Sequence, residues 1–213
     1  MLIYRILRLL TFPIFWIVYK LRFKETPGNL YEKLGRPTEG RPNGEIIWVH
    51  SDKSSDADEI IRAVLSELPR AKILQTYNVM NGGNNYGSSV IGQLSPLDSP
   101  IIVKNFLKFW EPSLAIRTGS EIRPTQLYAL KKYGIPSFLV NAKIQKKSYR
   151  RWKLIRCFAR RTIGNLTFIW AINNKHALRF ANLGANFIES EALMPRHSYL
   201  AEIIQKMQAM KGN

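Results

Sequence analysis

Acidic residues are scarce in this chain, fifteen among 213, so the places where they gather are informative. The segment SDKSSDADE (residues 51–59) sets Asp56, Asp58 and Glu59 among serines, and Glu121 stands alone in GSEIRPT (residues 119–125). A carboxylate within hydrogen-bond reach of a hydroxyl can take its proton while the oxygen attacks an electrophile, which is general-base chemistry. The same residue types have a second use. Ser and Asp cap helix N-termini, and acids in a first turn complement the helix dipole, so both segments also read as helix starts.

Other chemistries leave fewer traces. NGGNNYG (residues 81–87) is glycine-rich but lacks both the GxGxxG spacing and the Lys-Ser/Thr ending of a phosphate loop, so it reads as a flexible loop. His50, His176 and His197 are far apart and form no HExxH pair, which argues against a bound metal. No Gly-x-Ser-x-Gly elbow is present. The one cysteine, Cys157, excludes an internal disulfide and fits a reducing compartment. No cofactor is expected.

The elements that must position these groups alternate along the chain. EIIWVH (residues 45–50) is short, apolar and β-branched, and DEIIRAVLSEL (residues 58–68) has helical spacing, giving a strand, a loop and a helix. The alternation continues with a strand at 71–76, a helix at 100–110, a strand at 113–118, a helix at 124–133 and a strand at 136–142. A long basic helix at 148–161, a strand at 166–172, a helix at 173–184 stopped by Gly184 and a strand at 185–189 complete the series. Such a pattern predicts an α/β fold, a doubly wound and mostly parallel sheet, with any site at the carboxyl ends of its strands. Ser51 to Glu59 and Glu121 would then share one sheet edge.

Outside this domain, residues 1–23 are largely apolar, but the uncharged run from Leu9 to Tyr19 is only eleven residues, about half of the ~20 needed to span a bilayer. They read as a membrane-associated helix lying in the interface, with Arg5, Arg8 and Lys20 reaching toward phosphates. A buried helix and a signal peptide are the alternatives, the latter opposed by Trp16, Tyr19 and Lys20 at the place of small cleavage-site residues. Residues 24–44 are rich in Pro, Gly and charge and read as a linker with one helical turn, leaving 45–213 as the sheet domain.

Charge narrows the partner. Thirty-two Lys+Arg leave a formal net charge of +17, which calls for nucleic acid, an anionic membrane or a phosphorylated lipid. Nine of these cations fall in KIQKKSYRRWKLIRCFARR (residues 143–161). On one helix Trp152, Ile155 and Ala159 would align on the inner side, with Arg150, Arg151, Lys153, Arg160 and Arg161 spread around the rest. No nucleic-acid-binding signature accompanies the run.

Taken in order, these segments resemble the amino-terminal domain of the bacterial 3-deoxy-D-manno-octulosonic acid (Kdo) transferases, which attach Kdo to the lipid A precursor. The resemblance runs through YEKLGRP (residues 31–37), IWVHS (47–51), PLD (96–98) and FLKFWEP (106–112). It is fullest in GIPSFLVNAKIQKKSYRRWK (134–153), similar to a GIPxxLVNARLSxRSxxxY pattern, and ends in RFANLGA (179–185). It implies the Rossmann-like acceptor half of a two-domain GT-B glycosyltransferase at the cytoplasmic face of the inner membrane, with no role for nucleic acid. The donor CMP-Kdo is then expected on a further domain, here a separate polypeptide.

Where the family has SVGE, with its Glu as the base, this sequence has SDKSSDADE. Counting from His50 puts Asp56 at the Glu position, and counting back from Pro69 puts Lys53 there. The family's ETELWPN appears as GSEIRPT, keeping Glu121 and Pro124 while Gly119 and Arg123 replace Glu and Trp. The resemblance thus implies Asp56 as proton acceptor and Glu121 as its assistant. It implies a substrate surface from Ser51, Lys53, Ser54, Ser55 and Arg123 on one side, and from Asn141, Lys143, Ser148 and Arg150 on the other. These departures also admit a degenerate relative that binds lipid A or anionic membrane without catalysis, and the charge alone leaves a basic nucleic-acid-binding protein as the weaker alternative.

Overall fold

A computed structural model describes residues 27–53, 57–79 and 86–190, together with Gln205. Seven strands form one sheet: β1 (Ile46–Lys53), β2 (Lys72–Val79), β3 (Val90–Leu94), β4 (Leu114–Thr118), β5 (Ser137–Ala142), β6 (Phe168–Ala171) and β7 (Ile188–Ser190). Their order is β3-β2-β1-β4-β5-β6-β7 and every pairing is parallel. The described helices are α1 (Pro27–Lys33), α2 (Asp58–Glu67), α3 (Pro100–Trp110), α4 (Pro124–Lys132), α5 (Lys146–Leu154), α6 (Arg156–Ile163) and α7 (Asn174–Asn182). This is the Rossmann-like α/β arrangement that the alternation predicts. The chain reverses its direction of travel across the sheet between β1 and β4, which leaves a crevice at their carboxyl ends.

Strand β1 shows why its apolar run folds this way. Six consecutive residues, Ile46 to Ser51, are buried, because helices cover both faces of a parallel sheet. Ile47 and Val49 pack with Ile60, Ile61 and Val64 of α2, whereas Ile46 and Trp48 pack with Val103, Phe106 and Trp110 of α3. The Trp48 and Phe106 rings meet at 4.8 Å. A third cluster joins Leu139 and Ile169 to Ala159 and Ile163 of α6 and Phe180 of α7. Gly184 ends α7 in the left-handed region (φ 97°), and a Cβ there would stand 2.9 Å from Arg160 Cα, so glycine is required twice over.

The structure differs from the sequence reading in three places. The edge strand β3 lies in a stretch with no expected element. The expected helix 148–161 is two helices broken at Ile155, where φ is −115° and ψ 47°. Trp152, Ile155 and Ala159 consequently do not share one buried face: Ala159 is buried, Trp152 is partly buried and Ile155 is 51% exposed. Finally, the described part of the expected linker is fastened to the sheet domain. Glu32 accepts hydrogen bonds from the Leu94 amide of β3 (2.7 Å) and from Thr38 Oγ1 (2.6 Å), and Arg41 Nε donates to Trp110 O (3.1 Å). A carboxylate on an edge strand's amide also blunts that edge against pairing with another chain.

The apolar amino terminus and, Gln205 apart, residues 191–213 lie outside the described residues, as do Ser54, Ser55, Asp56 and residues 80–85. Among the described residues no helix is long and apolar enough to cross a membrane.

Candidate functional site

Parallel register brings distant residues together at the β1/β4 crevice. His50 stands opposite Thr76 on β2 and Arg117 on β4, and Glu121 follows β4 by three residues. The Thr76 hydroxyl accepts from Trp48 Nε1 (2.8 Å) and contacts His50 Nδ1 (2.9 Å), while His50 Nε2 lies 3.0 Å from Glu121 Oε2. One proton assignment satisfies every group: the Thr76 hydroxyl donates to Nδ1, and Nε2–H donates to Glu121. Burial, reinforced by the Arg117 charge, pushes the His50 imidazole down to about 3, so the ring is a neutral donor at physiological pH.

Glu121 is saturated with donors. Beside His50, Asn78 Nδ2 donates to Oε2 (3.0 Å) and Arg123 Nε pairs with Oε1 (2.9 Å). Burial opposes its ionisation, yet the hydrogen bond from His50 and the Arg123 charge outweigh that and hold the carboxyl well below the usual range. The same Asn78 amide donates to Asp52 Oδ1 (2.9 Å), so one side chain ties two carboxylates. Asp52 answers oppositely: burial, then the negative charge of Glu121, raise its pKa above the ordinary value. Two acids thus share one crevice with opposite proton affinities, an arrangement found where one group stays charged and the other exchanges a proton.

Arginines frame the pair. Arg123 Nη1 donates to Ser95 Oγ and Pro96 O, both at 2.8 Å, and Nη2 donates to Asn78 Oδ1. Arg117 is buried and donates to Gln126 Oε1 (2.6 Å), but its Nε and Nη2 find no hydrogen-bond partner among the described residues. Burial lowers its pKa to about 10, so it remains a cation at physiological pH. The PLD motif completes the floor: Asp98 accepts from the Thr125 and Gln126 amides and so caps α4 from a distant loop, and Pro96 O accepts from Gln126 Nε2 (3.0 Å). His50, Asp52 and Glu121 place ligand-type atoms within 4.8 Å of one another. A cation there would have to displace the His50 and Arg123 donors and face two guanidinium groups, so the set reads as a hydrogen-bonded carboxylate pair.

The sequence profile of the family described as 3-Deoxy-D-manno-octulosonic-acid transferase (kdotransferase) matches residues 28–191. The chain belongs to this family. A probable mitochondrial 3-deoxy-D-manno-octulosonic acid transferase of Arabidopsis thaliana is 27% identical over 86% of this chain and 44% of its own length. Enzymes of that name from Rickettsia prowazekii and Haemophilus influenzae are 32% and 25% identical over 65% and 76% of the chain, and 32% and 39% of their own lengths. The chain therefore spans less than half the length of these curated relatives. Among solved structures, a UDP-GlcNAc 2-epimerase from Neisseria meningitidis overlaps 69% of the chain and 46% of its own, with a TM-score of 0.46 at 10% identity.

Within the Kdo transferase frame, the residues expected to form the site are distributed unevenly. Glu121 and Arg123 meet in the crevice, but Arg123 spends its donors on protein groups and is only 13% exposed. Ser51 is buried and donates to Lys53 O (2.7 Å), a turn-forming bond, while Lys53 is exposed at the end of β1. Asn141 takes the left-handed conformation (φ 49°) near the end of β5, and Lys143 follows it, exposed. Ser148 and Arg150 lie on α5, half-buried and exposed respectively. Asp58 and Glu59 occupy the first turn of α2, the place of dipole-complementing acids, and Asp58 bonds Tyr86. The sequence reading passed over Asp52, Thr76, Asn78 and Arg117. The switch-point rule was the signal for Asp52 and Arg117, which lie on the two strands flanking the crevice, whereas Thr76 and Asn78 come from β2 and reach it only through the β1–β2 register.

Proposed function

We propose that this chain supplies the acceptor-side half of a GT-B Kdo transferase in lipopolysaccharide assembly, working at the cytoplasmic face of the inner membrane. A hydroxyl of the lipid A precursor attacks the anomeric carbon of Kdo, the bond from that carbon to the CMP phosphate breaks, and CMP departs with the electron pair. The hydroxyl proton passes to a carboxylate at the end of β1. Asp56 is the expected acceptor from its place in the loop, and Asp52 is a second one at the crevice, its proton affinity raised by burial and by Glu121. Glu121, ionised and held by three donors, keeps that affinity high and fixes Asn78 between the two acids. Lys143 and Arg150 bind the acceptor phosphates, and the donor nucleotide is held mostly by a second, donor-binding domain. No nucleic acid takes part.

The observation that carries this reading is the unequal carboxylate pair at the switch point of a chain in the Kdo transferase family. Reconstitution with a donor-binding half, CMP-Kdo and a lipid A precursor tests it. Transfer lost in Asp52→Asn or Asp56→Asn identifies the acceptor, and transfer unchanged in both, and in Glu121→Gln, removes the mechanism. One observation favours a second reading, an accessory protein that holds lipid A or anionic membrane. Arg123 stands where the family has Trp and consumes an oxygen of Glu121. That reading gains if lipid A is bound tightly while no donor half restores transfer.

A further inference from the structure

Residues 122–188 contain fourteen Lys/Arg and not one Asp or Glu. The densest part is the α5–α6 helix pair, where Lys146 to Cys157 carries six cations. At its break two large apolar side chains point outward: Leu154 is 86% exposed and Ile155 51%. A single exposed leucine needs no explanation, but an exposed leucine and isoleucine side by side at a helix break flanked by cations do.

The corner is held out from behind. Trp152 and Phe158, flanking the break, stack at 6.0 Å with planes 3° apart. Arg179 lies over the Tyr149 ring at 5.8 Å, and Ala159 and Ile163 anchor α6 in the core. Helix α5 has no fully buried residue, so its cations meet solvent.

We propose that the α5–α6 corner docks on an anionic bilayer, with Leu154 and Ile155 entering the headgroup–acyl boundary while Arg151, Lys153 and Arg156 meet lipid phosphates. The occupant follows from the two chemistries side by side. Phosphates alone would satisfy the cations and leave the apolar tip in water, and an apolar protein groove would desolvate the cations. An anionic lipid surface presents both layers at the right depths. The corner gives the membrane partner proposed above a place on the folded domain, and docking can be read without any sugar transfer.

Cys157, exposed and the chain's one cysteine, supplies a probe two residues from Ile155. The full chain carrying an environment-sensitive thiol fluorophore there is mixed with vesicles of phosphatidylcholine alone or with phosphatidylglycerol. A salt-sensitive blue shift on the anionic vesicles, and little on the neutral ones, is expected. The Leu154→Glu/Ile155→Glu double variant should lower partitioning about tenfold. Phe187→Glu, at another exposed apolar residue, should leave it unchanged. Vesicle binding with a silent probe would place attachment elsewhere, for example in the apolar amino terminus, and overturn the proposal. So would failure to bind anionic vesicles, or a probe response confined to DNA or RNA.

Discussion

Two regions of this molecule handle positive charge in opposite ways. At the β1/β4 crevice Arg123 is matched to Glu121, and the buried Arg117, repelled by Arg123, is offset by the field of Glu121, Asp98 and Asp52. Beyond Arg123, residues 124–188 carry thirteen cations and no acid. The difference follows from solvation. A guanidinium removed from water costs several kcal/mol unless acids and hydrogen bonds compensate, so the crevice must balance internally. Exposed lysines and arginines are screened by water and salt, so the second region can leave its compensation to a partner.

The largest test of that contrast is Glu121→Ala. Removal strands Arg117, Arg123 and the His50 donor, and the chain should lose about 3 kcal/mol in urea unfolding. Asp52→Asn should be neutral or mildly stabilising, because the Asp52 charge is disfavoured where it stands. Equal losses in the two variants would erase the asymmetry between the acids.

Next in size is the response to acid. The unfolded state takes up a proton at His50 near 6.5, and the folded state only near 3. Between those values the unfolded chain binds more protons, so stability should fall on acidification by up to about 1.4 kcal/mol per pH unit from this group. Glu121, depressed in the folded state, adds a loss that begins as pH drops toward its unfolded value of 4.5. Asp52 has the opposite sign: its folded pKa is raised, so its contribution is present at low pH and is lost as pH rises through the folded value. His50→Gln should flatten the slope between 6.5 and 4.5, which denaturation across a pH series would show.

How far the sequence discloses all this depends on how local each signal is. β1 is legible because a run buried on both faces has to be apolar, and Glu121 is legible because it follows a strand and precedes a proline. β3 is not: VIGQL is interrupted by Gly92 and Gln93 and so lacks the continuous apolar run that announces β1. The break at Ile155 carries no Gly or Pro to announce it. Asn78 and Thr76 look like ordinary strand residues until the β1–β2 register puts them beside His50 and Asp52.

A smaller effect separates the charge field from the hydrogen bonds. Arg117→Met removes a cation that disfavours His50 protonation while leaving the bonds to Thr76 and Glu121 in place. The His50 pKa, followed by NMR of the ring, should rise. A pKa that stays near 3 would assign the depression to burial and the Arg123 charge, with no part for Arg117.

The smallest expected effect lies on the other side of the contrast. Leu154→Ser should change folding stability by less than about 0.5 kcal/mol, because a side chain 86% exposed gives up almost no buried area. Burying a leucine in this chain's own core would be worth about 1.5–3 kcal/mol, so a loss of that size would mean that another segment of the chain covers the corner. The acid-free region would then be internally satisfied in its apolar part, and its need for an outside partner would rest on charge alone. Unchanged stability together with weakened vesicle binding would instead separate folding from docking at one residue, which Glu121→Ala in the crevice cannot do, since that carboxylate both balances the charge and holds the fold.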